Sequence, residues 1–276
     1  MPDRVPPVYL ATAIEAVVRA GEAQLAGVGG DLRIDKKGAI DLVTEIDLAI
    51  ERAFRAMIAE RFPGHAVLGE EFEASGDREA TPRFCWVLDP IDGTTNYAHG
   101  VPIFCASLAL EIDGVPVVAA VYDPNRRELF TAEKGAGAWL NGVPLRVSRA
   151  ATLIDSLLVT GFPYNVHQDG SHLIELFADF MSRSRAVRRL GSAALDLCYV
   201  AAGRFDGFWE AKLQPWDMAG GALIVEEAGG RVTSVEGGPF TSRAGSVLAT
   251  NGHIHGEMLQ TIHGFQARLR SRNRTE

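Results

Sequence analysis

One apolar run constrains the fold more than any other feature of this 276-residue sequence. Residues 84–88, Phe-Cys-Trp-Val-Leu, are apolar at every position, and the run ends abruptly at Asp89 and Pro90. An apolar side chain at every position is typical of a strand that is buried on both faces of its sheet. The sequence therefore predicts a sheet covered on both faces, with carboxylates at the carboxyl end of a buried strand.

The elements around this strand change in character near residue 150. Before it, apolar spacing predicts a helix over 8–26, a Thr44-to-Asp47 capping box predicts the start of a second helix, and Asn141-Gly142 predicts a hairpin turn. After it, strands and helices alternate, which is typical of an α/β arrangement. We therefore expect a mixed α+β and α/β fold.

The chain is expected to divide into an N-terminal α+β half, residues 1–150, with most candidate ligands, and a C-terminal α/β half, residues 151–276, that completes the site. No repeat, low-complexity tract or Pro/Ser-rich linker separates the halves. At 47% hydrophobic residues, the chain has enough apolar side chains for a large core. The halves are therefore expected to pack together as layers.

Charge and cysteine content limit the partners and the compartment. The chain has 27 Lys+Arg and 35 Asp+Glu, a net charge of −8, which argues against a nucleic-acid partner. The N-terminus lacks a signal-peptide pattern, and no apolar run reaches the roughly 18 residues of a membrane span. Cys85, Cys105 and Cys198 are odd in number and lie in apolar stretches. We predict a cytoplasmic protein with reduced thiols and no membrane partner.

Acidic residues cluster at the ends of regular elements. The clusters are Asp41 to Asp47, Gly69 to Glu71, Asp89 to Asn96 and Pro215 to Asp217. Asp89 and Asp92 are three residues apart across a proline-fixed turn, so their carboxylates and the Ile91 carbonyl can converge. Oxygen-only ligands suit Mg²⁺, and dications would offset the repulsion between the carboxylates. The spacing therefore predicts a Mg²⁺ site.

The segment Gly93-Thr94-Thr95-Asn96 has the composition of a helix start that binds an anion. Free amides and the helix dipole at such a start favour phosphate. A metal site beside a phosphate site indicates metal-assisted phosphoryl transfer to water. The sequence contains no P-loop, G-x-S-x-G, H-E-x-x-H or C-x-x-C motif, which excludes the familiar sites that these motifs define, nucleotide loops and serine elbows among them.

Four segments resemble the metal-site motifs of the inositol monophosphatase family. They are WVLDPIDGTTNY, DLVTEID, GEE and PWDMAG, and the resemblance extends from about residue 8 to residue 265. It implies a five-layer αβαβα sandwich and a Mg²⁺-dependent, Li⁺-sensitive phosphomonoesterase. It also implies two to three Mg²⁺ ions per subunit and a homodimer.

The resemblance also assigns roles to individual residues. The implied metal ligands are Glu70, Asp89, the carbonyl of Ile91, Asp92 and Asp217, with Asp89 bridging two ions. The implied catalytic residues are Asp47, Glu70 and Thr94, with Thr94 orienting the water and Asp47 behind it. The amides of Gly93 and Thr94 are implied to bind phosphate. The implied substrate contacts are Asp92, Gly191, Ser192, Ala193 and Glu210, and Ser192 occupies a position that is often Thr.

Several of these residues have a structural alternative. Asp47 and Asp217 stand where each would cap the helix that follows, and capping is compatible with a role in the site. Glu210 ends a predicted strand, where a polar residue is ordinary. Arg188 and Arg189 suit either a dimer interface or a second phosphate group, and the sequence does not choose between them.

The predicted function is Mg²⁺-dependent hydrolysis of a small phosphomonoester, foremost myo-inositol monophosphate. Family relatives with the same metal site act on histidinol phosphate, fructose 1,6-bisphosphate or 3′-phosphoadenosine 5′-phosphate. A hypothesis of another class is an inactive, phosphatase-like interaction protein. The complete set of mutually repelling carboxylates argues against that class, because an idle scaffold has no use for them.

Overall fold

The computed structural model describes residues 5–30, 34–36, 42–72 and 82–272. Within these ranges the chain forms a seven-stranded sheet, a five-stranded sheet and a small two-stranded ribbon, with helices packed on the sheets. The predicted mixed α and β fold class is confirmed. Asp41, the first residue of one acidic motif, lies outside the described residues.

The elements before residue 150 build the ribbon and the larger sheet. They are α1 (Pro7–Gly27), β1 (Ile34–Lys36), β2 (Leu42–Thr44), α2 (Glu45–Arg61), β3 (Ala66–Gly69), β4 (Phe84–Asp92), α3 (Thr94–Ala98), β5 (Cys105–Ile112), β6 (Val115–Asp123), β7 (Glu128–Glu133), β8 (Gly137–Leu140) and β9 (Val143–Pro144). Strands β3 to β9 are neighbours in sequence order, and only β3 and β4 pair in parallel. The buried strand β4 extends four residues beyond the predicted run, through Asp92.

The elements after residue 150 build the smaller sheet. They are a 3₁₀ turn (Leu153–Asp155), β10 (Leu157–Thr160), α4 (Val166–Asp169), α5 (Ser171–Arg183), β11 (Ala186–Arg188), α6 (Ala193–Ala201), β12 (Gly207–Ala211), α7 (Pro215–Glu227), β13 (Arg231–Thr233), β14 (Ser246–Thr250) and α8 (His255–Arg272). The strand order is β11-β10-β12-β14-β13, and β10 pairs in parallel with both of its neighbours.

Three hydrophobic clusters show the layers. In the first, α1 and α2 pack on the seven-stranded sheet, where Phe54 meets Trp86. In the second, α6 and α7 lie between the two sheets. In the third, α5 and α8 cover the five-stranded sheet, where Phe180 packs on Trp209 at 4.2 Å between ring centroids. The order is α-β-α-β-α, so the predicted five-layer sandwich is confirmed.

The two sheets are formed by strands on opposite sides of residue 150, and the division into halves there stays a prediction. Cys85, Cys105 and Cys198 are buried free thiols. Burial raises the pKa of each of them, so they remain protonated at neutral pH. In the part of the chain that the structure describes, no helix is long and apolar enough to cross a bilayer.

Candidate active site

The carboxyl end of β4 places two buried carboxylates at one edge of the seven-stranded sheet. Asp89 and Asp92 are 2% and 7% exposed, and the pairing of β4 with β5 shifts register between them. The Ile91 amide donates to Asp89 Oδ1 at 3.0 Å, and the Thr94 hydroxyl donates to the Ile91 carbonyl at 3.0 Å. These bonds hold the turn in one conformation, so the side chains that leave it are well positioned.

A cleft of about 510 Å³ lies beside this turn and draws its walls from both sheets. Every predicted site residue except Asp47 lines it, namely Glu70, Asp89, Ile91, Asp92, Gly93, Thr94, Gly191, Ser192, Ala193, Glu210 and Asp217. The structure therefore brings together residues from segments that are far apart in the sequence. Their roles remain predictions.

Asp92 binds the N-terminus of α6. Its carboxylate accepts hydrogen bonds from the Ser192 hydroxyl at 2.6 Å, the Ala194 amide at 2.7 Å and the Ala193 amide at 3.2 Å. The first amides of a helix have no partner within the helix and carry partial positive charge, so a carboxylate is a favourable partner. Ser192 and Ala193 thus hold Asp92 in place, an interaction across about 100 residues that the sequence did not reveal.

The predicted caps are present. Asp47 Oδ2 accepts from the Thr44 amide at 2.8 Å and the Thr44 hydroxyl at 2.6 Å, which completes the predicted capping box of α2. Asp217 Oδ2 accepts from the Gln214 amide at 2.7 Å and caps α7. Asp217 also lines the cleft, so capping leaves it available to the site. Asp47 is fully buried and outside the cleft lining, although its charge raises the pKa of Asp89.

Gly93 occupies a position that only glycine fits. Its φ is +99°, in the left-handed region, and a Cβ there would lie 2.9 Å from the Ile103 carbonyl oxygen and 3.2 Å from that of Gly191. The residue lets the chain pass from β4 into α3, which begins at Thr94. The amides of Gly93 and Thr94 therefore stand beside the two carboxylates of the turn.

Electrostatic repulsion is concentrated on Asp89. Burial raises the pKa of its carboxyl group well above the ordinary value. Four neighbouring carboxylates raise it further, in decreasing order those of Glu70, Asp92, Asp217 and Asp47. Burial also raises the pKa of Asp92, although the hydrogen bonds from Ser192 and the α6 amides oppose that shift. Positive charge entering the cleft would relieve this repulsion.

The residues fit Mg²⁺ by donor chemistry. Four carboxylates and the Ile91 carbonyl offer only oxygen, which is the ligand set of a hard dication. Across residues 5–30, 34–36, 42–72 and 82–272, no three His, Cys, Asp or Glu side chains stand in a geometry that holds an ion ready-made.

Another part of the cleft carries Glu210, from β12. This carboxyl group is 8% exposed, and burial raises its pKa to about 8, although Arg189 opposes the shift. Glu210 lies against Gly161, where a Cβ would stand 2.2 Å from Glu210 Oε2. Arg189 lines the cleft, whereas an Nη of Arg188 donates to the Val187 carbonyl at 3.3 Å.

Sequence analysis missed several residues of the cleft wall, among them Asp196, Phe162 and Lys212. Asp196, in α6, is 1% exposed, and its buried Oδ1 has no hydrogen-bond partner among the described residues. The sequence did contain a signal for this residue, because Asp196 is the one acidic residue of a helix whose other side chains are apolar or aromatic, and a buried carboxylate in such a helix needs a functional or structural reason. Phe162, which follows β10, and Lys212, whose φ of +63° is unusual for lysine, also line the cleft. Neither carried a recognisable sequence signal.

This chain is similar to known proteins along most of its length. The model of the inositol monophosphatase family matches residues 7–267. The Synechocystis protein named inositol-1-monophosphatase is 45% identical over 92% of this chain and 88% of its own length. The Escherichia coli K12 protein named Nus factor SuhB is 44% identical over 82% of this chain and 84% of its own length.

Solved structures share the fold. The inositol monophosphatase from Anabaena superposes with a TM-score of 0.84 at 39% identity, covering 94% of this chain and 96% of that one. Inositol monophosphate-bound SaIMPase-II superposes with a TM-score of 0.78 at 31% identity, covering 97% of this chain and 99% of that one. An IMPase/NADP phosphatase complexed with Mg²⁺ and phosphate superposes with a TM-score of 0.77 at 25% identity, covering 88% of this chain and 90% of that one. This chain, with its acidic cleft at the end of β4, belongs to the inositol monophosphatase family and is a phosphatase.

Proposed function

We propose that this phosphatase hydrolyses myo-inositol monophosphate to inositol and phosphate in a Mg²⁺-dependent reaction. The observation that carries the proposal is the single cleft that joins the β4 carboxylates to Glu210. The carboxylates suit cations that bind phosphate, and Glu210 suits the hydroxyls of a polyol. The name of the Synechocystis relative and the ligand of SaIMPase-II support the choice of substrate.

The metal ligands in this proposal are Glu70, Asp89, Asp92, Asp217 and the Ile91 carbonyl, with two to three Mg²⁺ ions per subunit. When bound, Mg²⁺ neutralises charge on the phosphoryl group and makes water a better nucleophile. The IMPase/NADP phosphatase structure, which contains Mg²⁺ and phosphate, supports this assignment. Asp89 is the proposed shared ligand because the family resemblance implies that role, and the four neighbouring carboxylates that raise its pKa support the choice.

The chain's own groups orient the reactants. In the proposal, the amides of Gly93 and Thr94 donate to phosphate oxygens. The Thr94 hydroxyl and the Glu70 carboxylate orient the attacking water, and Asp47 stabilises this region from behind. Asp92, Glu210 and the Gly191-Ser192-Ala193 turn form the side that meets the leaving alcohol. Holding both reactants in line supplies much of the catalysis in phosphoryl transfer.

A substrate panel tests the proposal. Phosphate release is measured with and without Mg²⁺ on myo-inositol 1-phosphate, histidinol phosphate, fructose 1,6-bisphosphate and 3′-phosphoadenosine 5′-phosphate. We expect the highest kcat/KM on the inositol ester. A higher value on another ester would reassign the substrate. No turnover of any ester with Mg²⁺ would favour the interaction-protein hypothesis.

We predict that Glu210→Gln weakens the hydrolysis of inositol phosphate but not that of p-nitrophenyl phosphate. Above about pH 8, where Glu210 is ionised, loss of this charged acceptor costs about 1.5 to 3 kcal/mol, or roughly 10- to 150-fold in kcat/KM. The p-nitrophenyl ester has no hydroxyls for Glu210 to accept and serves as the internal control. The ratio of wild-type to variant kcat/KM should rise with pH, because the ionised carboxylate is the stronger acceptor and burial raises its pKa to about 8. Equal losses on both esters would instead mean that Glu210 supports the metal site or the fold rather than the leaving alcohol.

We also propose a cytoplasmic homodimer that binds neither nucleic acid nor membrane. Buried free thiols support a reducing compartment, and the net charge of −8 supports the absence of a nucleic-acid partner. Trp139 and Val143, which are exposed on the β8–β9 hairpin, support a contact with a second copy. Light scattering of the purified protein measures its oligomeric state directly.

A further inference from the structure

A buried carboxylate outside the cleft contacts the segment that carries Glu70. Glu51, in α2, is fully buried. Its carboxylate accepts hydrogen bonds from the amide of Glu71 at 2.8 Å and from the amide of Phe72 at 3.3 Å. Glu51 therefore binds the backbone immediately after Glu70. These two bonds join residues about 20 positions apart in the sequence.

Arg55 completes the contact. It donates from Nε and Nη2 to Glu51 Oε1 at 2.8 and 2.7 Å, one helical turn further along α2. The same guanidinium donates to the Val67 carbonyl at 3.4 Å and to the Phe72 carbonyl at 3.1 Å. The planar group of arginine suits such divergent bonds. The pair therefore holds the 67–72 segment on both sides of Glu70.

Gly69 shows how closely the segment approaches the helix. A Cβ at residue 69 would lie 2.3 Å from Glu51 Cδ, so a side chain there would displace the Glu51 carboxylate. The absence of a side chain at Gly69 thus lets the backbone rest on the Glu51 carboxylate. On the far side, Glu70 lines the cleft together with Asp89.

We propose that Glu51, with Arg55, is a positioning residue that fixes the backbone of Glu70 so that the Glu70 carboxylate faces Asp89 and binds Mg²⁺. The inference rests on the proposed role of Glu70 as a ligand. A ligand held by its backbone loses less conformational freedom when the ion binds, so affinity rises. Arg55 pairs with the Glu51 carboxylate and balances its charge.

Glu111 provides a matched control. It is as fully buried as Glu51, accepts from Ser242 at 2.5 Å and Arg243 at 2.6 Å, and lies on β5 outside the cleft lining. Glu51→Gln and Glu111→Gln therefore each remove the charge of a buried, arginine-paired carboxylate. Only the first is expected to change the metal site.

The experiment measures Mg²⁺ affinity by calorimetry on metal-stripped protein, together with amide hydrogen exchange and the melting temperature. We expect Glu51→Gln to weaken Mg²⁺ binding about 10- to 100-fold, as loss of an outer contact to a ligand does. Exchange at the Glu71 and Phe72 amides should accelerate. Glu111→Gln should bind Mg²⁺ within about twofold of wild type. Wild-type affinity in folded Glu51→Gln, or an equal loss in both variants, would overturn the proposal.

Two further variants cover the remaining outcomes. If Glu51→Gln fails to fold, Arg55→Lys keeps the charge but loses the bonds to the Val67 and Phe72 carbonyls, and it should still weaken Mg²⁺ binding several-fold. Unchanged affinity in that variant also contradicts the proposal. Glu70→Gln separates a failure of the Glu70 ligand assignment from a failure of the Glu51 positioning role. If it binds Mg²⁺ like wild type, the ligand assignment itself fails, whereas a loss there without a loss in Glu51→Gln removes only the positioning role.

Discussion

Asp89→Asn is expected to lower kcat by at least about 10³-fold while the fold survives. Asp89 is the residue on which the repulsion of the site converges, and in our proposal it is shared by two ions. Asparagine has nearly the same shape and keeps an oxygen that can accept the Ile91 amide. The substitution therefore removes charge without removing the hydrogen bond that holds the turn. Steady-state kinetics at saturating Mg²⁺ measure the loss.

The same variant should be more stable than wild type when both are stripped of metal. Burial and four carboxylates raise the pKa of Asp89, so its ionised form destabilises the metal-free fold at neutral pH. Removing that charge should raise the metal-free melting temperature, and the difference should shrink as Mg²⁺ is added. Asp123→Asn is a suitable control, because Asp123 is fully buried and paired with Arg126 but does not line the cleft. Wild-type turnover by Asp89→Asn would refute the assignment.

Chelation is expected to abolish turnover completely and reversibly. Without Mg²⁺, the carboxylates of Glu70, Asp89 and Asp217 repel the phosphate dianion as well as one another. EDTA should therefore remove activity, and excess Mg²⁺ should restore it. Ca²⁺ should inhibit, because its longer and less regular coordination misplaces the reacting oxygens. Full activity in protein shown by elemental analysis to be free of metal would contradict the proposal.

Metal binding should also stabilise the fold. A ligand at 100 times its dissociation constant contributes about 2.7 kcal/mol, which for a chain of this size raises the melting temperature by several degrees. The rise should be smaller in Asp89→Asn, because that variant binds the ion less tightly. An equal rise in both proteins would show that Mg²⁺ binds elsewhere.

Local features of the site were predictable from the sequence because short-range physics determines them. The capping box from Thr44 to Asp47 depends on four consecutive residues, and it forms as expected. The apolar run into Asp89 requires burial on both faces, and β4 lies within the seven-stranded sheet. The sandwich itself was implied by the family resemblance rather than by any such pattern.

Long-range partners were not predictable, because no local pattern encodes them. The contact of Asp92 with Ser192 depends on two sheets packing together, and nothing near either residue announces it. Sequence analysis assigned no role to Glu51, although its carboxylate accepts hydrogen bonds from the amides of Glu71 and Phe72. The extension of β4 through Asp92 was missed because Asp89 and Pro90 are typical of a strand end.

The hydrogen bonds between Asp92 and the start of α6 connect the acidic cleft directly to a helix in the protein interior. Helix α6 lies between the two sheets. The Asp92 carboxylate, a proposed metal ligand, therefore also accepts hydrogen bonds from the layer that joins the two sheets. By thermodynamic linkage, any change in the packing free energy of α6 that cation binding causes is matched by an equal effect of α6 packing on the free energy of cation binding. Substitutions that tighten the packing around Leu197 or Val200, both completely buried and outside the cleft lining, are therefore a way to change ion affinity without altering a residue of the cleft.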